Sequence, residues 1–247
     1  MLPNVKQDLL KLLRSKGVRA TPEYVSAVSQ ALDDGLSYNT PAMFGMAQTL
    51  FASDMMIAYN LIQNSIDEAK GAARVEIIAR RYAPPALKKK MLRHVGDELR
   101  HAKQFLELMK LTPYRAEADA EGTAAEEVFE FDDELKAFLC RVHSIEIRSW
   151  TMLRHYISVI RGMDNAKLQE AIPVLESIMA DEINHVAYTG ETLIEWIAED
   201  PKLRDVMLEC FAHTNRETWH DLANMANYLA DHQPALIAAR AAEAVAA

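Results

Sequence analysis

This chain is short of what builds sheets, disulfide scaffolds and membrane spans. Aromatic residues are 7% of it, and its 247 residues include only 8 Gly and 9 Pro. So few turn-formers and so few β-favouring side chains argue against a fold of many short strands. Cys140 and Cys210 are its two cysteines. They lie far apart in no Cys-x-x-Cys pattern, so buried free thiols in a reducing compartment are expected. No apolar run approaches the ~18 residues of a membrane span. The opening stretch, MLPNVKQDLLKLLRSKG, mixes charged and apolar residues at helical spacing, unlike a secretory signal. A cytoplasmic protein without a membrane partner is the expectation. Positive charge is also scarce. Lys and Arg number 27 against 36 Asp and Glu, a formal net charge of -9, which disfavours a nucleic-acid partner.

What is present is helical. Half of the residues are hydrophobic, enough for a substantial core, and their spacing is that of long amphipathic helices. The spacing and the breakers predict short helices over 4–16 and 22–34, with Thr21-Pro22 opening the second, then a break over 35–41 and an apolar segment over 42–52. Long helices follow over 54–82, capped by Ser53, and over 86–110. After an aperiodic link over 112–130 come helices over 131–161, over 165–198 with a kink at Pro173, and over 202–230, the last ending before Pro234 and a fraying Ala-rich tail. The four long helices over 54–198 thus form two antiparallel pairs joined by a crossing link. The expected fold is one all-α domain, with a four-helix core at 54–198, an N-terminal extension at 1–53, and a C-terminal helix and tail at 199–247.

The chemistry concentrates in two matching segments. Asp97-Glu98-Leu99-Arg100-His101 and Asp181-Glu182-Ile183-Asn184-His185 both read Asp-Glu-x-x-His, and each falls in the second helix of a pair. On a helix, residues i and i+3 share a face. Glu98 with His101, and Glu182 with His185, can therefore each offer an oxygen and a nitrogen to one ion, a donor set suited to iron, manganese or zinc. Composition gives roughly 0.7 chance copies of Glu-x-x-His in such a chain but only roughly 0.04 of Asp-Glu-x-x-His. A third Glu-x-x-His, Glu217 to His220, follows Arg216 and reads as a surface pair. The first helix of each pair should add one inward carboxylate. Glu146, between Ile145 and Ile147, is the candidate in one pair. In the other, Glu68 competes with Glu76 and is favoured by its spacing to Glu98. Four carboxylates converging in a core would be strongly destabilising unless cations neutralise them, and two divalent ions would do so in full.

Two Glu helices and two Glu-x-x-His helices resemble the ferritin-like dinuclear carboxylate superfamily, over about residues 54–198. Asp97 to His101 resembles the Asp-Glu-x-Arg-His form of bacterial multicomponent monooxygenases and acyl desaturases. The spacing from Glu68 is similar to that of arylamine N-oxygenases, and aldehyde-deformylating oxygenases of this superfamily are of similar size. The resemblance implies a ferritin-like bundle with two iron ions, or manganese in their place, held by Glu68, Glu98, His101, Glu146, Glu182 and His185. It implies that Asp97, Asp181 and Arg100 sit behind these ligands, each Asp orienting a histidine through its second nitrogen. Two departures stand out. Asn184 occupies the place of the Arg in the second copy, and Ile178 the place where N-oxygenases carry an added histidine. The mirror position holds His94, either an additional ligand or a helix-surface histidine.

On this resemblance the expected activity is that of an O2-activating di-iron oxygenase or oxidase, with a ferroxidase or rubrerythrin-like peroxidase as the alternative. The expected partners are O2, a small, largely apolar substrate and a separate electron donor, since no flavin or ferredoxin motif occurs. A homodimer is left open. Expected pocket walls are Met55, Met56, Phe105, Trp150, Leu153 and Ile178. Gly71 with Ala72 and Ser149 with Trp150, one turn beyond the helix carboxylates, would leave room near the site or mark a close helix crossing. Thr189, one turn after His185, is a candidate proton donor or a packing residue.

Overall fold

The computed structural model describes residues 2–33, 36–113 and 135–246, and among them every regular element is a helix. Helices α1 (Val5–Ser15) and α2 (Pro22–Asp33) lead to a 3-10 turn at Ser37–Asn39 and to α3 (Pro41–Leu50). The long helices are α4 (Asp54–Tyr82), α5 (Pro85–Glu107), α6 (Leu135–Arg161) and α8 (Ile172–Glu199), with a single turn, α7 (Ala166–Gln169), before the last of these. Helix α9 (Leu203–Ala246) closes the chain.

Local chemistry sets these boundaries. Ser53 accepts a hydrogen bond from the Met56 N–H, and Thr40 from the Met43 N–H ahead of Pro41, so α4 and α3 begin at side-chain caps. The 112–130 link falls almost wholly on 114–134, outside the described residues. Two expectations need correction. Pro173 does not kink a helix. It stands in the first turn of α8, where its missing N–H would be unpaired in any case, and the chain breaks before it. Nor does Pro234 stop α9, which runs on to Ala246. The Ala-rich sequence around it has high helix propensity, which offsets one lost hydrogen bond.

Helix α4 packs along α5 and α6 along α8, while α5 meets α8 and α4 meets α6 more sparingly. The four enclose a polar centre between two apolar clusters. One cluster joins α1 and α2 to α6, α8 and the start of α9; the other joins α3 and the start of α4 to α6, α8 and Met225. The α4–α6 seam is covered from outside by α3 and α9.

Candidate metal centre

The stripe that α5 turns inward comprises Leu87, Met91, His94, Val95, Glu98, His101, Ala102 and Phe105. That of α8 includes Leu175, Ile178, Glu182, His185 and Val186. Helical spacing therefore drives both Asp-Glu-x-x-His segments into the core with Glu and His innermost. Glu146 is buried on α6, and Glu68 is half-buried on α4.

These side chains form two groups whose ligand atoms lie within 4.8 Å of one another: Glu68, Glu98, His101 and Glu182, and His94, Glu98, Glu146 and His185. Glu98 belongs to both. Glu182 also stands between the two, with Oε1 3.4 Å from His101 Nδ1 and Oε2 3.6 Å from His185 Nδ1. His101 Nδ1 is 3.6 Å from Glu68 Oε2, and His185 Nδ1 is 3.4 Å from both Glu98 Oε1 and Glu146 Oε2.

Three atoms of this centre, His101 Nδ1, His185 Nδ1 and Glu182 Oε2, are buried without a hydrogen-bond partner. Such groups ordinarily cost about 1–3 kcal/mol each. The spacing of each histidine nitrogen from its neighbouring carboxylate oxygens suits a bound cation instead. Donor atoms bound to one ion at about 2.1 Å lie roughly 3.0–3.4 Å apart at neighbouring positions. The residues present fit two ions in donor type, in separation and in charge, since the four carboxylates match two divalent cations.

Without a cation, protons must take that place. Burial, followed by the charge of Glu98, raises the Glu68 carboxyl well above its usual range, and burial with the charge of Glu146 raises Glu182 to about 7. Burial acts in the same sense on Glu98 and Glu146, but there hydrogen bonds and neighbouring histidines outweigh it and both are lowered. Burial alone would lower His101 and His185, yet the surrounding carboxylates raise both. Protonated histidines thus stand against ionised carboxylates, which keeps the centre together at the cost of orphaned atoms.

The aspartates act crosswise. Asp181 Oδ2 lies 3.3 Å from His101 Nε2, and Asp97 Oδ2 lies 3.3 Å from His185 Nε2, so each motif's Asp holds the other motif's histidine. Both Nδ1 atoms are thereby aimed inward. The Arg100 guanidinium donates to Asp97 (2.7 Å) and to Asp181 (2.8 Å). The His185 hydrogen bond and Arg100 pull the Asp97 carboxyl down to about 2. One arginine serves both aspartates, so the second copy needs none. Asn184 instead accepts from Lys16, just past the end of α1.

His94 is not on the surface. It is 1% exposed, its ring stacks on His185 at 3.7 Å between centroids, and its Nε2 lies 3.1 Å from Glu98 Oε1 and 3.3 Å from Glu146 Oε1. The signal was its place on the α5 stripe, one turn before Glu98. Glu76 is half-exposed on α4 and pairs with Arg80, away from the centre. Of the third Glu-x-x-His, Glu217 is half-buried, bonds the buried Arg141 and lies 3.4 Å from His213, while His220 is exposed. The Thr189 hydroxyl bonds His143 Nδ1 and donates to the His185 carbonyl.

A cavity of about 290 Å³ opens on the centre along the α4–α6 seam. Glu68, His94, Glu98, Glu146 and Glu182 line it, with Gly71 and Ser149. A Cβ on Gly71 would touch only Glu98 Oε2, at 3.5 Å, so this glycine faces cavity space and marks no helix crossing. Of the expected walls, Phe105 and Leu153 line the cavity, while Met55, Met56 and Ile178 are in the second apolar cluster and Trp150 in the first. The cavity face of α6 follows 142, 145, 146, 149, 152, 153 and 156; Trp150 falls off that series and packs on Arg154. Some unforeseen walls belong to α4 and α6, such as Tyr59 and Met152, and others come from outside the four-helix core: Met43, Met46 and Leu50 of α3, and Leu222 and Met225 of α9. Polar groups share the wall, among them Asn60, Asp67, Arg74, Arg141, Arg148 and Asp221.

Outside the centre, Cys140 and Cys210 are both free thiols, Cys140 buried and Cys210 half-buried. No helix among the described residues is long and apolar enough to cross a membrane. No family model, curated protein or solved structure matches this chain.

Proposed function

We propose that the chain binds two iron ions, with manganese as the alternative, and uses O2 to oxidise a small, largely apolar molecule held in the cavity. The observation that carries this reading is the pair of ligand groups sharing Glu98 and opening onto the cavity. Two adjacent reduced ions would supply the electrons by which O2 is activated. The chain's own residues would do the rest. Asp97 and Asp181 fix the histidines, and Arg100 ties the two aspartates together. Methionine, Leu and Phe side chains from α3, α5, α6 and α9 exclude water from the reacting face. A volume of about 290 Å³ is at the small end of ligand sites. The donor of further electrons would be a separate protein or the substrate itself.

A ferroxidase or peroxidase is the competing reading, and it draws on Asp67 and Asp221 in the cavity wall. Against it, Arg74, Arg141 and Arg148 stand in the same wall, and Arg148 lies 3.3 Å from Asp221. A route for cations would not be lined with three guanidinium groups.

The test is O2 uptake by protein loaded anaerobically with two equivalents of ferrous iron, with a chemical reductant and panels of amines, aldehydes and hydrocarbons. Substrate-dependent uptake over many turnovers, with oxygen from labelled O2 in a product of a hydroxylation or N-oxidation, is the expected result. Desaturation would instead show as loss of two hydrogens. Ferric iron accumulating well beyond two ions per chain, indifferent to every organic addition, would establish iron handling instead.

A further inference from the structure

The three histidines of the centre are not held alike. His101 and His185 turn Nδ1 inward and rest Nε2 on Asp181 and Asp97. His94 is reversed. Its Nε2 points inward at Glu98 and Glu146, and its Nδ1 lies 2.8 Å from the Tyr188 hydroxyl. Its outer partner is thus a phenol hydroxyl where the others have carboxylates.

That choice of partner has a consequence. A hydroxyl both donates and accepts, whereas a carboxylate or a carbonyl only accepts. When the inner Nε2–H of His94 donates to Glu98, Tyr188 can donate its O–H to Nδ1. When Nε2 instead gives its lone pair to a cation, the ring proton must sit on Nδ1, and Tyr188 can accept it. His94 therefore keeps an outer partner in both states. Position also matters. His94 stands with His185, Glu146 and Glu98, while Glu68, Glu98, His101 and Glu182 contain a single histidine.

We propose that Tyr188 is a positioning residue that holds His94 as an additional ligand to one of the two metal positions, making the two unequal. This rests on the dinuclear reading above. One position has two imidazole nitrogens and the other has one, and the phenol of Tyr188 sets the difference by fixing which nitrogen of His94 faces inward.

The test is anaerobic titration of the metal-free protein with ferrous iron enriched in the Mössbauer isotope, read by stoichiometry and by spectrum. Wild type should bind two ions and show two resolved ferrous doublets of equal area. Tyr188→Phe keeps the ring and removes only the hydroxyl. It should weaken one ion roughly 10–100-fold, the usual effect of losing an outer partner, and shift one doublet while leaving the other in place. His94→Gln should shift the same doublet, and it carries the test alone if Tyr188→Phe does not fold. Adding Tyr188→Phe to His94→Gln should change nothing further, because the two act through one contact. Two bound ions with a single doublet in wild type would overturn the inference and leave the dinuclear site standing. So would variants that bind both ions as wild type does, or that weaken both equally. Fewer than two ions bound to wild type would overturn the dinuclear reading and this inference with it.

Discussion

Two buried polar clusters sit one helical turn apart on α6 and α8, and they are built on opposite terms. In the first, around Glu98 and Glu182, inward nitrogens and a carboxylate oxygen have no partner. In the second, every proton can be placed. The Thr189 hydroxyl donates to the His185 carbonyl at 2.7 Å, so its oxygen is left to accept from His143 Nδ1–H at 2.8 Å. His143 Nε2 is then free to accept from the Tyr24 hydroxyl at 2.7 Å. This chain ties α2 to α6 and α8 and leaves nothing over. Both clusters are buried and both contain histidine, so burial alone does not mark function. What separates them is satisfaction: a structural network uses each donor once, while a ligand set aims unpaired atoms at a common point.

Substitutions should pull the two clusters apart, most strongly at the shared carboxylate. Glu98→Gln removes a charge from both ligand groups. Iron binding should fall by more than the roughly 10–100-fold typical of outer partners. Metal-free protein should at the same time lose resistance to urea, since the lowered carboxyl of Glu98 stands there against His94 and His185. A variant that loses stability yet keeps both irons would place Glu98 in a structural network like that of His143.

The pH dependence of His143 comes next in size. Burial lowers its pKa from 6.5 to about 4, so it is neutral in the folded chain near neutral pH. The unfolded chain takes up this proton as pH drops below about 6.5, whereas the folded chain does so only near 4. Stability from this group is thus full above the unfolded value and is lost as pH falls through that window, to a limit of roughly 3 kcal/mol. Urea unfolding of wild type and His143→Gln at a series of pH values should show the gap between them narrowing toward pH 4. A constant gap would mean that folding leaves the proton affinity of His143 unchanged.

Thr189→Val leaves the His143 Nδ1–H without an acceptor and should cost about 1–3 kcal/mol. It should leave iron stoichiometry intact, and altered metal binding in this variant would erase the boundary between the clusters. The smallest effects are expected at two glycines. A Cβ at Gly190 would lie 3.0 Å from Leu13 Cδ2 and 3.3 Å from His143 Cε1, so Gly190→Ala should destabilise by about 1 kcal/mol or more. Gly71→Ala meets only Glu98 Oε2 at 3.5 Å and should stabilise the helix by up to about 1 kcal/mol. Thermal melts of the two variants should move in opposite directions.

Much of this was legible before any coordinates, for a physical reason. Helical periodicity converts sequence spacing directly into faces, so paired Glu-x-x-His segments, Glu146 and the preference for Glu68 over Glu76 could be read from spacing and neighbours. What escaped depends on contacts between helices. The crosswise hold of Asp97 on His185 requires knowing how α5 meets α8, and the covering of the cavity by Met43 and Met225 requires the placement of α3 and α9. His94 was visible as a mirror position, but its burial follows from the α5 stripe, which also carries Met91 and Val95. Pro173 was misread because a proline serves equally as a kink or a start. The break at Glu170 and Ala171 decided between them.

The most direct measurement is the number of irons held per chain after equilibrium dialysis of wild type against ferrous iron under argon. Two per chain at saturation, with a gain in thermal stability, is the expected result. No bound iron, with an unchanged melting curve, would contradict it and leave the buried carboxylates and histidines as a hydrogen-bonded core.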